Sequence, residues 1–438
     1  MKRWIVDPVQ EVGGRVRVPG DKSISHRALI LGALARGESV VTGLSNGEDV
    51  QSTASVLRSL GVPISWDGPV AHVRGVGIGG FEAPTQDLDC GNSGTTMRLM
   101  VGLLASQEGL RARLVGDASL SGRPMERVSE PLRMRGATVR AEGEAGRPPL
   151  VIEGAQLAGY EHTLSVASAQ VKSCLLLAGL QSEGPTAVIE PGPTRDHTER
   201  MLLARGADIQ VSGRRIDVLP QLALDALDST VPGDLSSGAF FLALGALASP
   251  EGVTVEGIGL NDTRTGFLEA LGAFGVEVRR TDVVDVGGEP VGSVTTRRAA
   301  MLGAEIAGDR VVRAIDEIPI LAVTACFAEG TTRIRDAAEL RVKESDRIAA
   351  IAQGLRRMGA DIEEAPDGMT IRGGRPLHGA ELASHGDHRV AMAFAIAALQ
   401  ADGPTSIDGV EAVDTSFPGF VECIQSLLGS SAGGIRVA

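Results

Sequence analysis

Hydrophobic and polar positions along the chain fall into two interleaved patterns. The first is an apolar stretch of helical length, then a glycine turn, then a run of β-forming residues, as in Leu34-Ala35-Arg36-Gly37-Glu38-Ser39-Val40-Val41. It recurs around Gly109, Gly184, Gly252, Gly330 and Gly403, at gaps of 72, 75, 68, 78 and 73 residues. The second is an amphipathic helix closed by Leu-x-x-Leu-Gly and followed by an alternating strand, as in Val56-Leu57-Arg58-Ser59-Leu60-Gly61-Val62-Pro63-Ile64. It recurs at Gly136, Gly206, Gly275, Gly359 and, more weakly, Gly429, at gaps of 75, 70, 69, 84 and 70 residues. One such helix–glycine–strand joint is commonplace, but the two series alternate without a miss. A 438-residue chain in six copies averages 73 residues per copy. The pattern predicts an α/β protein of six modules, each with two helices and several short strands. Glycine at the helix ends supplies the left-handed conformation that most residues resist.

Copies one to three and four to six are expected to form two equivalent lobes. Val18-Pro19-Gly20-Asp21 and Pro232-Gly233-Asp234 read as connectors. The expected lobes are residues 19–234 and residues 1–18 with 235–438, the first strand joining the C-terminal lobe. The hinge is expected near 18–21 and 232–235, with a ligand cleft between the lobes.

Composition narrows the class. Hydrophobic residues at 43% and charged residues at 22% describe a globular protein with large cores, and 3% aromatics make those cores aliphatic. Glycine, 57 residues, is about double its usual share, while the 21 prolines are ordinary, so the excess is not low complexity. A formal charge of −13 argues against non-specific nucleic-acid or anionic-membrane binding, without forbidding a local basic cleft. Cys90, Cys174, Cys326 and Cys423 lie far apart, so neither a zinc site nor a disulfide framework is expected. The N-terminus has no apolar signal region, and the longest apolar runs are about half of what a membrane span needs. A cytoplasmic location is expected.

The candidate chemistry sits at helix starts. In the first series these are Asp21-Lys22-Ser23, Asn92-Ser93-Gly94-Thr95, Ser168-Ala169-Gln170, Asp234-Leu235-Ser236-Ser237, Asp316-Glu317 and Asp387-His388-Arg389. Several begin with good N-cap residues. Yet Lys22, Arg27, His388 and Arg389 are cations near the positive ends of helix dipoles, a conflict that a bound anion resolves. The second series adds Arg123, Arg195, Arg264, Arg341 and Lys343. A salt bridge accounts for any one of these; the set points to a ligand with phosphates or carboxylates. Gly14 to Ser23 imitates a Walker loop, but five residues separate its glycines and Asp21 precedes the lysine. His385-Gly386-Asp387-His388 lacks a third ligand for a metal and reads as a loop entering a helix.

Gly20-Asp21-Lys22-Ser23-Ile24-Ser25-His26-Arg27 closely resembles the N-terminal signature of the 5-enolpyruvylshikimate-3-phosphate synthase family. Asn92-Ser93-Gly94-Thr95-Thr96-Met97-Arg98, Arg341-Val342-Lys343-Glu344-Ser345-Asp346-Arg347 and Asp387-His388-Arg389 resemble it too, in order and across essentially the whole chain. The resemblance implies a two-lobed inside-out α/β barrel with three βαββαβ modules per lobe. It implies transfer of the enolpyruvyl group of phosphoenolpyruvate to the 5-hydroxyl of shikimate 3-phosphate, in aromatic amino acid biosynthesis, with release of phosphate. No metal or organic cofactor is implied, the partners are the two small-molecule substrates, and a monomer is expected.

Residue by residue, the resemblance assigns Lys22, Ser23, Arg27, Ser168, Ala169, Gln170, Arg195, Asp316 and Lys343 to shikimate 3-phosphate. It assigns Lys22, Gly94, Arg123, Gln170, Arg347 and Arg389 to phosphoenolpyruvate. Asp316 and Glu344 match the acid–base pair, Asp316 as base toward the hydroxyl and Glu344 as proton donor to the methylene, with Lys22 on the phosphate side. Two positions depart from the family pattern: Thr415 stands where many relatives have lysine, and Glu339 where others have asparagine. Glycine at 94 implies inhibition by glyphosate, a phosphoenolpyruvate mimic. The sister transferase acting on UDP-N-acetylglucosamine is the nearest alternative, but its loop cysteine is missing from Gly116-Asp117-Ala118-Ser119-Leu120. A non-catalytic scaffold that binds phosphorylated metabolites is the other, and the Asp316/Glu344 pair argues against it.

Overall fold

Twelve helices of eight residues or more occur among the described residues, in two kinds that alternate along the chain. The computed structural model describes residues 2–429 and 433–438. Helices α1 (Lys22–Leu34), α3 (Gly94–Ala105), α5 (Ala169–Gly179), α7 (Leu235–Ala248), α9 (Ile318–Phe327) and α11 (His388–Leu399) are apolar nearly all round and almost wholly buried. Helices α2 (Glu48–Ser59), α4 (Glu126–Met134), α6 (His197–Ala204), α8 (Gly266–Ala273), α10 (Arg347–Arg357) and α12 (Phe420–Leu427) bury only one face. A helix with no polar face must be surrounded by protein, and an amphipathic one can lie at the surface. Of the twelve glycines that mark the repeat, all but Gly403 have positive φ, from 57° to 113°. Gly37 differs from expectation in place: it lies inside the strand Ala35–Thr42, not at a helix end.

Among the described residues the strands form six small sheets, five of four strands and one of five. Their order repeats. In the sheet of the second module, Leu88–Asp89 pairs in parallel with Arg111–Val115, which pairs antiparallel with Leu150–Glu153, which pairs antiparallel with Thr138–Ala141. The last sheet has the same order, but its third place is filled from the other end of the chain: Arg3–Asp7 lies between Thr405–Asp408 and Gly434–Val437. Likewise Gly14–Val16 is the parallel edge against Val253–Gly259.

The chain divides into two units. The first is Met1–Pro19, Pro232–Asp285 and Pro290–Ala438; the second is Gly20–Val231 with Val286–Glu289. The second unit's core is aliphatic apart from Phe81 and the partly buried Trp66. The first unit departs from the expected aliphatic core. Trp4 stacks on Phe420 with ring centroids 5.6 Å apart, and Phe240, Phe241 and Phe417 pack around Phe420 within 6.0 Å. Few aromatics therefore did not mean dispersed aromatics; they tie the N-terminal strand to α12.

Within the second unit α3 and α5 meet at a glycine. A Cβ on Gly102 would lie 2.2 Å from the backbone oxygen of Cys174, which cannot swing aside. Gly102→Ala is therefore expected to lower stability by about 1–3 kcal/mol through overpacking. Chemical denaturation followed by far-UV circular dichroism checks this, and an unchanged midpoint would refute the contact.

Candidate active site

In the second unit, the starts of α1, α3 and α5 are built by N-caps. Asp21, Ser93 and Ser168 accept from the backbone N–H groups of Ile24, Thr96 and Val171. Lys22, the first residue of α1, sets its ammonium against the positive helix end; Asp49 of α2 answers it at 2.8 Å. A hydroxyl chain then ties α1 to α3. His26 Nδ1 lies 2.6 Å from Thr53 Oγ1, Thr53 lies 2.6 Å from Thr96 Oγ1, and Thr96 donates to Ser93 Oγ at 2.7 Å. Gly94 follows that cap. A Cβ there would stand 3.1 Å from Arg123 Nη1 and 3.2 Å from Arg98 Nη1, so the absence of a side chain leaves room beside two guanidinium groups. Arg123 is held by Asn92 Oδ1 at 2.6 Å and Ser119 Oγ at 3.2 Å. Gln170 accepts from Arg98 and donates to Thr95 Oγ1, the latter at 2.9 Å.

Arg27 is buried on three fixed acceptors. Its Nε donates to Thr198 Oγ1 at 2.6 Å, Nη2 to Ser173 Oγ at 2.6 Å, and Nη1 to the Ser23 carbonyl at 2.9 Å. Ser173 in turn donates to the Ala169 carbonyl at 2.6 Å. Arg195 Nη1 reaches Ser23 Oγ at 3.4 Å. The unit thus brings Ser23, Arg27, Ala169 and Arg195 into one set, and Gly94, Arg123 and Gln170 into another.

In the first unit the buried guanidinium of Arg347, first residue of α10, gathers three carboxylates. It donates to Asp387 at 2.8 Å, Asp316 at 3.3 Å and Glu344 at 2.5 Å. Lys343 Nζ lies 3.7 Å from Asp316, and Arg389 Nη1 donates to the Asp316 carbonyl at 3.3 Å. Burial acts to lower the Arg347 pKa, but Asp387, Glu344 and Asp316 outweigh it and hold the group firmly protonated. Burial also pushes the Lys343 ammonium down, and Asp316 opposes that shift. Asp387 also caps α11, accepting from the backbone of Arg389 at 2.9 Å and Val390 at 3.4 Å. The loop Gly386–Asp387 is thus a helix entry. Asp316 does not cap α9; the residue at that helix start is Glu317, and its side chain makes no cap bond.

Some cations at helix starts are taken up by the protein's own groups. Arg264 pairs with Asp234, the cap of α7, at 3.1 Å, both buried. Arg341 is held by Asp346 at 2.7 Å and by the carbonyls of Ala365 and Pro366. Thr415 bonds the Ala412 carbonyl at 2.7 Å, and Glu339 contributes a negative field at Lys343. Sequence reasoning missed Asp49, Thr53 and the buried ion cluster of Lys172, Glu190 and Glu199, all in the second unit. The alternation of polar and apolar positions carries no sign of which polar residues turn inward. It also missed Asp196, His197 and Glu289, whose ligand atoms lie within 4.8 Å of one another. A His197–Glu289 bond of 2.7 Å and an Asp196–Arg200 bond of 2.8 Å already engage all three.

The family model for EPSP synthase (3-phosphoshikimate 1-carboxyvinyltransferase) matches residues 6–424. The chain belongs to the EPSP synthase family. A 3-phosphoshikimate 1-carboxyvinyltransferase of Synechococcus sp. (strain JA-3-3Ab) is 49% identical over 430 residues, 98% of this chain and 97% of that protein. One from Gloeobacter violaceus is 51% identical over 418 residues, 95% of this chain and 97% of that protein. Among solved structures, an EPSP synthase from Acinetobacter baumannii superposes with a TM-score of 0.88 at 43% identity, covering 100% of both chains. The enolpyruvyl transferase NikO from Streptomyces tendae superposes at 0.80 with 20% identity, covering 100% of this chain and 99% of that one, and so shares the fold. The fold is that of the enolpyruvyl transferases.

His26 gives this family member a test of its α1–α3 tie. Burial, then Lys22 and Arg27, push its imidazole well below the usual 6.5. A depressed folded pKa means that the stability of the neutral ring is present above about 6.5 and lost as pH falls through the folded value. His26 is therefore expected to remain neutral at about pH 5.5, where an ordinary imidazole is mostly charged. Histidine NMR shifts followed against pH check this; a midpoint near 6.5 would show that the ring is not sealed against Thr53.

Proposed function

We propose that this chain transfers the enolpyruvyl group of phosphoenolpyruvate to the 5-hydroxyl of shikimate 3-phosphate and releases phosphate. Membership of the EPSP synthase family supports the reaction. The observation that carries the residue roles is the pair of carboxyl groups, Asp316 and Glu344, held on one buried guanidinium.

In the first step the 5-hydroxyl oxygen forms a bond to the substituted enol carbon of phosphoenolpyruvate. The hydroxyl proton passes to Asp316, and the methylene carbon takes a proton from Glu344 and becomes a methyl group. In the second step that methyl group returns a proton to the Glu344 carboxylate as the C–O bond to phosphate breaks, restoring the double bond, and the proton held by Asp316 leaves with the phosphate, so that both carboxyl groups return to their starting states. Opposite proton demands on two carboxyl groups require distinct environments. Their surroundings differ: Asp316 lies within ion-pair distance of both Lys343 and Arg347, whereas Glu344 pairs with Arg347 from the preceding turn of the chain. Lys22 is assigned to the phosphate, where a fixed ammonium stabilises charge that builds on the leaving group. Lys22, Arg123, Gln170, Arg347 and Arg389, with the space at Gly94, are assigned to phosphoenolpyruvate. Ser23, Arg27, Ser168, Ala169, Gln170, Arg195 and Lys343 are assigned to shikimate 3-phosphate.

Phosphate release from phosphoenolpyruvate is expected with shikimate 3-phosphate and not with UDP-N-acetylglucosamine; release with neither would sink the reaction. Glu344→Gln and Asp316→Asn are each expected to lower turnover by at least ~10²-fold, as loss of an acid or base typically does. Near-normal turnover in either removes that residue from the mechanism. Glyphosate is expected to inhibit in competition with phosphoenolpyruvate, because position 94 is glycine. No inhibition at glyphosate well above the phosphoenolpyruvate concentration would refute the reading of that pocket.

A further inference from the structure

Lys172 lies in the middle of the apolar helix α5, and its side chain is 1% exposed. Its ammonium contacts Glu199 of α6 at 2.5 Å and Glu190 at 3.1 Å, and both carboxylates are themselves buried. Taking three charges out of water is costly, and apolar side chains of the same size often serve stability as well or better. The cluster therefore calls for an explanation other than stability.

Its neighbours supply one. Ser173 and Thr198, the two hydroxyls that accept from Arg27, adjoin Lys172 and Glu199 in sequence, and they bond each other at 2.7 Å. The Lys172–Glu199 contact thus clamps α5 to α6 beside that hydroxyl pair. On the other side, Glu190 accepts from the hydroxyl of Thr194, the residue before Arg195. One buried ammonium is therefore linked to the supports of both Arg27 and Arg195.

The charges agree with the geometry. Two carboxylates and one ammonium leave the cluster with one net negative charge beside the Arg27 guanidinium. Burial pushes Arg27 down to about 10, and Glu199 is the foremost charge opposing that loss. Burial likewise raises Glu199, opposed by Lys172. Three of the five guanidinium donors of Arg27 are taken by Ser23, Ser173 and Thr198, which leaves one N–H on each Nη for a ligand.

We infer that Lys172 is a positioning residue for shikimate 3-phosphate: with Glu190 and Glu199 it sets the direction of Arg27 and Arg195 without touching substrate. The inference rests on the assignment of Arg27 to shikimate 3-phosphate.

The test is direct binding of shikimate 3-phosphate to the full chain by calorimetry, with steady-state kinetics beside it. Arg27→Ala tests the underlying assignment, and binding equal to the parent would refute that assignment alone. Lys172→Met is expected to weaken shikimate 3-phosphate binding roughly tenfold or more, the effect of misaligning a charge-assisted hydrogen-bond donor. The turnover number at saturating substrate should change little. Lys172→Met with Glu199→Gln restores the net charge of the cluster but not the contact between α5 and α6, so binding is expected to stay weakened. Recovery to within about threefold of the parent shows that net charge alone, and not the clamp, governs Arg27, and that result overturns the inference. Thr198→Val keeps the ion cluster and removes one Arg27 acceptor; it should also weaken binding. If Thr198→Val binds like the parent while Arg27→Ala does not, the inference fails, whether or not Lys172→Met folds.

Discussion

The first unit depends on a single buried guanidinium. Arg347 cannot lose its charge, and three carboxylates close around it from the ends of three different segments. Asp316 lies before α9, Glu344 in the loop before α10, and Asp387 at the cap of α11. A buried cation left without partners costs several kcal/mol, so the three segments are held to one arrangement. The same contacts that make the ion tolerable also fix the two carboxyl groups proposed for proton transfer. Stability and chemistry share one constraint here.

The second unit solves a related problem differently. Its candidate ligand cations lie at or near helix starts, where the backbone already presents positive charge. Asp49 answers Lys22, and the net negative cluster of Lys172, Glu190 and Glu199 answers Arg27. Each answering acid is itself largely buried. Part of the formal charge of −13 thus lies beside cations proposed to hold the anionic substrates.

Much of this was legible in the sequence. The repeat of about 73 residues, the two kinds of helix and the α/β class follow from apolar periodicity and from glycines at places where φ is positive. The capped helix starts at Asp21, Ser93, Ser168, Asp234 and Asp387 follow from residue type alone. Other features were hidden for identifiable reasons. The paired connectors put the first strand in the C-terminal lobe, but nothing local in Arg3–Asp7 names its partners some four hundred residues away. Lys172 sits in Ala169–Gly179, where one lysine among apolar residues reads as a side chain turned outward. Arg264 and Arg347 look alike as arginines near helix starts, yet the first is absorbed by Asp234 and the second faces the proposed acid–base pair. Partners far along the chain decide such cases, and periodicity does not see them.

The placement of Arg3–Asp7 also has a consequence for synthesis. A ribosome makes this strand some four hundred residues before its neighbours Thr405–Asp408 and Gly434–Val437. All of Gly20–Val231 leaves the ribosome before either neighbour exists, so that unit can complete its core while the leading strand still waits. Throughout elongation an apolar β-forming segment with Trp4 and Val6 must therefore stay unpaired, to be inserted as the final piece of the last sheet. Residues made early are thus among the last to find their place.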